Sequence, residues 1–226
     1  MSTVLITGAA RGLGLDFTTR YAAKGWKVLA CARKPDALKS VKGDIHHHSL
    51  EVTDYKAVKA LAKKLSGEAI DVLICNAGVG GSRGESAQSL GSLDPEVWRE
   101  VFEVNTLAPL MMAEAFADHV ARSQQRKLIA ITSVLGSISS NNGGRYFYRA
   151  SKTALNMEWS CLSKDLADKG VICVALHPGW VQTDMGGSTA TLTIEQSVPP
   201  MVQTIAALKP SDNGRFLQYD GTELAW

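Results

Sequence analysis

No apolar run in this sequence approaches the ~20 consecutive residues that cross a bilayer, so no membrane-spanning helix is expected. Charge of one sign is not in excess. The 24 Lys and Arg stand against 22 Asp and Glu, a net +2, which argues against a surface built for nucleic acid. Cysteine is sparse: Cys31, Cys75, Cys161 and Cys173 form no close pair and three of them lie in apolar runs. Reduced thiols in a cytoplasmic protein are expected, not disulfides. The start, Met1 to Thr7, has no basic stretch and does not read as a signal peptide. No repeat, low-complexity tract or linker breaks the chain, and residues 1–226 are expected to form a single domain. No metal is expected. His46-His47-His48 falls in a predicted strand, where alternating side chains cannot all face one ion.

What is present is an ordinary folded composition, 45% hydrophobic and 20% charged, on a chain long enough for a substantial core. Val4-Leu5-Ile6 reads as a first strand. Thr7-Gly8-Ala9-Ala10-Arg11-Gly12-Leu13-Gly14 follows, then a helix from about Leu15 to Lys24 and a second strand over 27–32. Strand, glycine-rich turn, helix and strand make the opening unit of a dinucleotide-binding fold. Glycines let the backbone approach a pyrophosphate, and the helix N-terminus offers unpaired N–H groups. The spacing is G-x-x-x-G-x-G and not the commoner G-x-G-x-x-G.

The end of the second strand lacks the carboxylate that accepts hydrogen bonds from the ribose hydroxyls of NAD. Ala32-Arg33-Lys34 stands there, and Arg11 in the glycine turn adds a second cation. Guanidinium groups suit a 2′-phosphate, which favours NADP. The alternative is that Arg33 is a surface charge at a strand end.

Further along, strands are expected over 46–52, 71–75, 127–132, 171–176 and 214–219. Helices are expected from Thr53-Asp54 to about Leu65, from Asp94 to about Arg122, through Tyr148 and Lys152 to about Asp168, and from Ile194 or Glu195 to Leu208. The alternation predicts an α/β fold: a doubly wound (Rossmann) parallel sheet of about seven strands with helices on both faces. Polar loops over 79–92, 136–145 and 183–193 leave the carboxyl ends of strands four, five and six, the edge where such sheets bind ligands.

Tyr148 and Lys152, four residues apart, share a helix face, and positive charge beside a phenol favours its ionised form. In the preceding long helix Pro109 lies four residues after Asn105. Proline has no N–H, so the Asn105 carbonyl loses its helical partner, and a local kink with a carbonyl free to hold a water is expected. A structural kink without chemistry is the alternative.

With these parts in place the whole sequence resembles the short-chain dehydrogenase/reductase family. The resemblance rests on Thr7-Gly8-x-x-x-Gly12-x-Gly14, Asn76-Ala77-Gly78, Asn105, Ser133, Tyr148-x-x-x-Lys152 and Pro178-Gly179. Gly136-Ser137-Ile138, Trp180 to Gly187 and the final Asp220-Gly221 look like its C-factor-like branch, which includes NADPH-dependent carbonyl reductases. The resemblance implies that Tyr148 donates a proton to a carbonyl oxygen as hydride arrives, and that Ser133 hydrogen-bonds that oxygen. It implies that Lys152 contacts the nicotinamide ribose and stabilises the phenolate, and that Asn105 holds a water of a proton relay. Gly8, Gly12, Leu13 and Gly14 would approach the pyrophosphate. Asn76, Ala77 and Gly78 would shape the adenosine side, and Pro178, Val181 and Thr183 would face the nicotinamide. Glu51, beside Val52 at the adenine, stands where the family usually has Asp. Cys75 replaces the first Asn of a common Asn-Asn-Ala-Gly motif.

The expected activity is thus reduction of a small-molecule carbonyl with NADP as cofactor. Val79, Leu135, Tyr146, Trp180 and Met185, candidate pocket residues without a cation among them, favour neutral ketones, aldehydes or quinones. A dinucleotide-binding signalling protein of the same fold is the alternative; it would have no physical need for all four of Asn105, Ser133, Tyr148 and Lys152. A catabolic dehydrogenase using NAD would need an acid at Ala32 or Arg33. Family members often pair through the Tyr-bearing helix, and Trp159 and Leu162 fit either such a homodimer or the core.

Overall fold

All five residues of strand β1 (Thr3–Thr7) are buried, as expected of a strand covered on both faces. The computed structural model describes residues 1–34, 36–81 and 86–226; positions 82–85 of the predicted 79–92 loop lie outside the described residues. After β1 come α1 (Gly12–Ala23), β2 (Lys27–Ala32), β3 (Ile45–Ser49), α2 (Tyr55–Lys64), β4 (Val72–Cys75) and α3 (Pro95–Phe102). A π turn (Glu103–Leu107) joins α3 to α4 (Ala108–Ala121), and β5 (Lys127–Ile131), α5 (Tyr146–Asp165), β6 (Ile172–His177), α6 (Ile194–Ala207) and β7 (Phe216–Gln218) complete the chain.

The seven strands form one parallel sheet in the order β3-β2-β1-β4-β5-β6-β7. The doubly wound sheet is therefore present. Alternate residues serve its two faces. Leu5, Leu73 and Leu128 pack with Leu61 of α2, Phe116 of α4 and Trp159 of α5. Val4, Ile6 and Ile74 pack with Phe17 and Tyr21 of α1 and Met201 and Ile205 of α6. Strand order reverses between β1 and β4, which opens a crevice at the carboxyl edge of the sheet.

Three expectations need correction. α1 starts at Gly12, three residues earlier than expected. β3 ends at Ser49 and not at Val52: Leu50 still donates to the Ala32 carbonyl at 3.1 Å, but Asp54 N–H then turns back to the Glu51 carbonyl at 3.0 Å. The long helix over 94–122 is split by the π turn. Pro109 cannot donate to Asn105, and the Ala108 N–H reaches five residues back to the Glu103 carbonyl. Of the two readings left open for Trp159, the core one holds: it is 1% exposed and its indole N–H donates to the Leu128 carbonyl at 3.2 Å.

Candidate active site

The carboxyl ends of β1 and β4 are zipped together before any ligand is considered. The Asn76 and Ala77 N–H groups donate to Thr7 Oγ1 at 3.0 and 3.1 Å. The Asn76 amide donates to the Thr7 and Gly8 carbonyls at 2.9 and 3.3 Å. This clamp explains the glycines. A Cβ on Gly14 would lie 2.1 Å from the Gly8 oxygen, and Gly8 itself has φ +66°. The turn therefore presses backbone on backbone, and α1 begins without a side-chain cap or an acidic first turn. Its first N–H groups and dipole are left to attract an anion. Leu13 packs beneath, against the α1 and α6 side of the core.

The next crevice wall is built by α5. Its sheet-facing stripe buries Tyr148, Ser151, Lys152, Leu155, Asn156 and Trp159. Tyr148 lies beside Ser133, which follows β5; the Ser133 hydroxyl favours the ionised phenol, but burial outweighs it and holds the phenol above its ordinary pKa. The Lys152 Nζ donates to the Ile131 carbonyl at 2.9 Å, and burial pushes its pKa down to about 8. Lys152 Nζ lies 5.9 Å from the Tyr148 ring centroid. The ammonium therefore answers to the strand carbonyl, and it is Arg145 and Ser133 that favour ionisation of the phenol.

Asn105 completes this group from the π turn. Its Oδ1 accepts the Val79 N–H at 2.8 Å, and its Nδ2 donates to the Val79 carbonyl at 2.9 Å and to Ser151 Oγ at 3.2 Å. A Cβ on Gly78 would meet Asn105 Oδ1 at 3.2 Å and Lys152 Nζ at 3.8 Å. Asn105, Gly78 and Lys152 thus meet at one point, and the side chain of Asn105 is what holds the strand-four loop there.

The residues expected at the adenosine end divide. Arg33 is exposed at the end of β2 and reaches Glu51 at 3.6 Å. Val52 is buried in the core, so its side chain offers nothing to a ligand. The Arg11 guanidinium pairs with Asp184 at 2.7 Å, on the loop after β6. That loop also brings Thr183 to the glycine turn, 3.7 Å from where a Gly12 Cβ would lie. Val181 bridges Leu192, and Ser197 Oγ donates to the Pro178 carbonyl at 2.6 Å, which fixes the loop's two ends.

Among the candidate pocket residues, Tyr146, Trp180 and Met185 are exposed, and the Met185 side chain lies 3.5 Å from a Cβ built on Gly80. Loops from β4 and β6 thus meet over a crevice open to solvent. Leu135 and Tyr146 also line a cavity of about 220 Å³ with Ile138 and Arg149.

Two residues at the site went unnoticed in the sequence. Gln88 is wholly buried; its Oε1 accepts the Tyr148 N–H at 2.9 Å and its Nε2 donates to the Gly80 carbonyl. Arg145, at the start of α5, places its guanidinium carbon 5.0 Å over the Tyr148 ring. Neither carries a spacing signal: Gln88 sits in a serine-rich loop and Arg145 after two glycines.

Comparison with known proteins agrees with this geometry. A family model described as short chain dehydrogenase matches residues 2–192. The C-signal protein of Myxococcus xanthus is 42% identical over 170 residues, covering 75% of this chain and 100% of that protein. The carbonyl reductase Sniffer of D. melanogaster superposes with a TM-score of 0.91 at 34% identity, covering 100% of both chains. An NADPH-bound carbonyl reductase from chicken fatty liver superposes with a TM-score of 0.90 at 34% identity, covering 100% of this chain and 99% of that one.

Proposed function

The chain belongs to the short-chain dehydrogenase family, and on that premise we propose that it reduces a neutral ketone, aldehyde or quinone to an alcohol with NADPH, Tyr148 donating the proton. The observation that carries this reading is the meeting of four groups at the carboxyl edge of β4 and β5: buried Tyr148 beside Ser133, and Lys152 beside Asn105 across Gly78.

The glycine turn fits a dinucleotide. The first turn of α1 has no side-chain cap, and the Gly8–Gly14 contact leaves room for backbone only. Gly8, Gly12, Leu13 and Gly14 would hold the pyrophosphate, and Asn76, Ala77 and Gly78 would flank the adenosine. Arg33, whose present partner is Glu51, would meet a 2′-phosphate. Arg11 would assist there only by leaving Asp184. Pro178, Val181 and Thr183 would border the nicotinamide. Bound NADPH supplies a hydride to the carbonyl carbon.

The chain supplies the proton. Burial keeps the Tyr148 phenol protonated at neutral pH, the state a donor needs. Ser133 orients the acceptor oxygen and lowers the cost of the phenolate. Lys152, with its pKa brought down to about 8, holds a proton it can pass on. Asn105 would position the water through which the proton is replaced. A non-catalytic dinucleotide sensor is less favoured, since it gains nothing from a lysine buried at this energetic cost. The three buried free thiols, Cys31, Cys75 and Cys173, support a reducing, cytoplasmic setting.

The test is a screen of neutral ketones, aldehydes and quinones with NADPH and with NADH, following loss of reduced-nicotinamide absorbance. Carbonyl-dependent oxidation of NADPH, faster than of NADH, is expected. No turnover across the panel would leave the sensor reading.

A further inference from the structure

We propose that Arg145 is a positioning residue for the proton-transfer step: stacked over the Tyr148 ring, its guanidinium holds the phenol in place and stabilises the negative charge left there when the proton departs. The inference rests on the reductase reading above. In that step the Tyr148 O–H bond breaks and an O–H bond forms at the substrate oxygen as the carbonyl carbon takes up hydride. The electron pair stays on the phenol oxygen.

The geometry is specific. The guanidinium carbon lies 5.0 Å from the ring centroid, inside the range where a cation is drawn to an aromatic face. The backbone that puts it there is one an arginine rarely adopts. Gly143, Gly144 and Arg145 are successive left-handed residues, with φ of 85°, 70° and 47°. Glycine meets that conformation without cost, and an L residue does not. Arg145 then begins α5 without capping it by its side chain, although its carbonyl accepts the Arg149 N–H at 2.9 Å. A strained residue whose side chain does not cap its own helix is turned toward the functional tyrosine.

Among the described residues, other charges have different partners or places. Lys152, on the same helix, donates to Ile131. On elements packed against α5, Glu96 and Arg99 of α3 pair with each other and Glu103 of the π turn binds the Tyr55 hydroxyl. Glu100 of α3 and Glu114 of α4 complete those helices' acids there, and Asp118 pairs with Lys169 beyond the far end of α5. His177 of β6 is buried and neutral, its pKa pushed down to about 4. Among the described residues, Arg145 and Ser133 are the groups that favour the ionised phenol against its burial.

The experiment compares Arg145→Met, Arg145→Gly and Arg145→Lys with the wild type, with NADP bound. Tyrosinate absorbance is titrated in each background and in its Tyr148→Phe partner, so the difference isolates Tyr148. Ionisation of Tyr148 should move up by about one pH unit in the Met and Gly variants and return toward the wild-type position in the Lys variant. The alkaline limb of kcat should move up with it, because the donor stays protonated to higher pH. Arg145→Gly suits the left-handed backbone, so misfolding does not account for its shift. An unmoved titration in folded Met and Gly variants overturns the proposal, even if the wild type reduces carbonyls. The titration needs no turnover. A shift in a protein without reductase activity would uphold the Arg145–Tyr148 coupling and overturn the reductase reading.

Discussion

Gln88 joins the loop after β4 to the helix that carries the functional tyrosine. Its Oε1 accepts the Tyr148 N–H at 2.9 Å, and its Nε2 donates to the Gly80 carbonyl. The Tyr148 N–H belongs to the first turn of α5, where the helix itself supplies no partner. Gln88→Ala removes both bonds in a fully buried place. We expect a loss of about 1–3 kcal/mol in urea unfolding and a fall in kcat larger than any change in cofactor affinity. An unchanged unfolding midpoint would show that water or a neighbour replaces the amide.

Lys152→Met should separate stability from activity. The folded pKa is about 8 against an ordinary 10.5, because burial disfavours the ammonium. Below pH 8 the lysine is charged in both states, and the folded protein carries the full desolvation cost. Between about 8 and 10.5 the unfolded chain binds more protons, so wild-type stability gains on the variant as pH rises. The variant should be more stable at pH 7 by up to about 3 kcal/mol, with the gap closing by pH 10.5, while reduction is lost. A variant less stable than the wild type at pH 7 would mean that the bond to Ile131 outweighs the desolvation.

Cofactor preference should follow Arg33. The side chain is exposed and held only at 3.6 Å by Glu51, a contact worth little in water. Arg33→Asp should place a carboxylate where ribose hydroxyls would lie and invert the NADPH-to-NADH ratio of kcat/KM. Glu51→Gln, which frees the guanidinium, should sharpen NADPH preference. An unchanged ratio in Arg33→Asp would remove Arg33 from 2′-phosphate recognition.

Much of the scaffold was legible because its signals are local. β1, the glycine turn and α1 declare themselves by a short apolar run and a glycine cluster, and Gly170, with φ +69°, closes the short 3₁₀ turn (Ala167–Lys169) that follows α5. Tyr148 and Lys152 were visible by spacing. The contacts that finish the site are not local. Arg11 looked like a partner of Arg33, but Asp184, which it meets, is 173 residues away. Val52, expected beside Glu51 at the adenine, has its side chain in the core, which its position in the sequence does not reveal. Proline chemistry located the irregular helix but not its form: a missing N–H permits a kink, a bulge or a π turn, and packing of Asn105 against Val79 accompanies the last of these. Arg145 was illegible for a different reason, since nothing in Gly-Gly-Arg announces that the arginine itself is left-handed.

Pro109 tests whether the π turn matters. Pro109→Ala restores an N–H for the Asn105 carbonyl and should draw 103–107 toward ordinary α-helix. Asn105 would then lose its paired bonds to Val79. Hydrogen exchange at the Val79 amide should speed up, and kcat should fall about tenfold. Protected Val79 with wild-type kinetics would show that the turn survives without its proline.

The central claim is that Tyr148 is the proton donor of a carbonyl reduction, and Tyr148→Phe tests it most directly. Two quantities are measured on the same preparation: NADPH affinity by fluorescence titration, and carbonyl-dependent oxidation of NADPH. Affinity should stay within a few-fold of the wild type, while kcat falls about 10²–10⁴-fold. A Tyr148→Phe protein that binds NADPH and still reduces carbonyls at the wild-type rate would contradict the account.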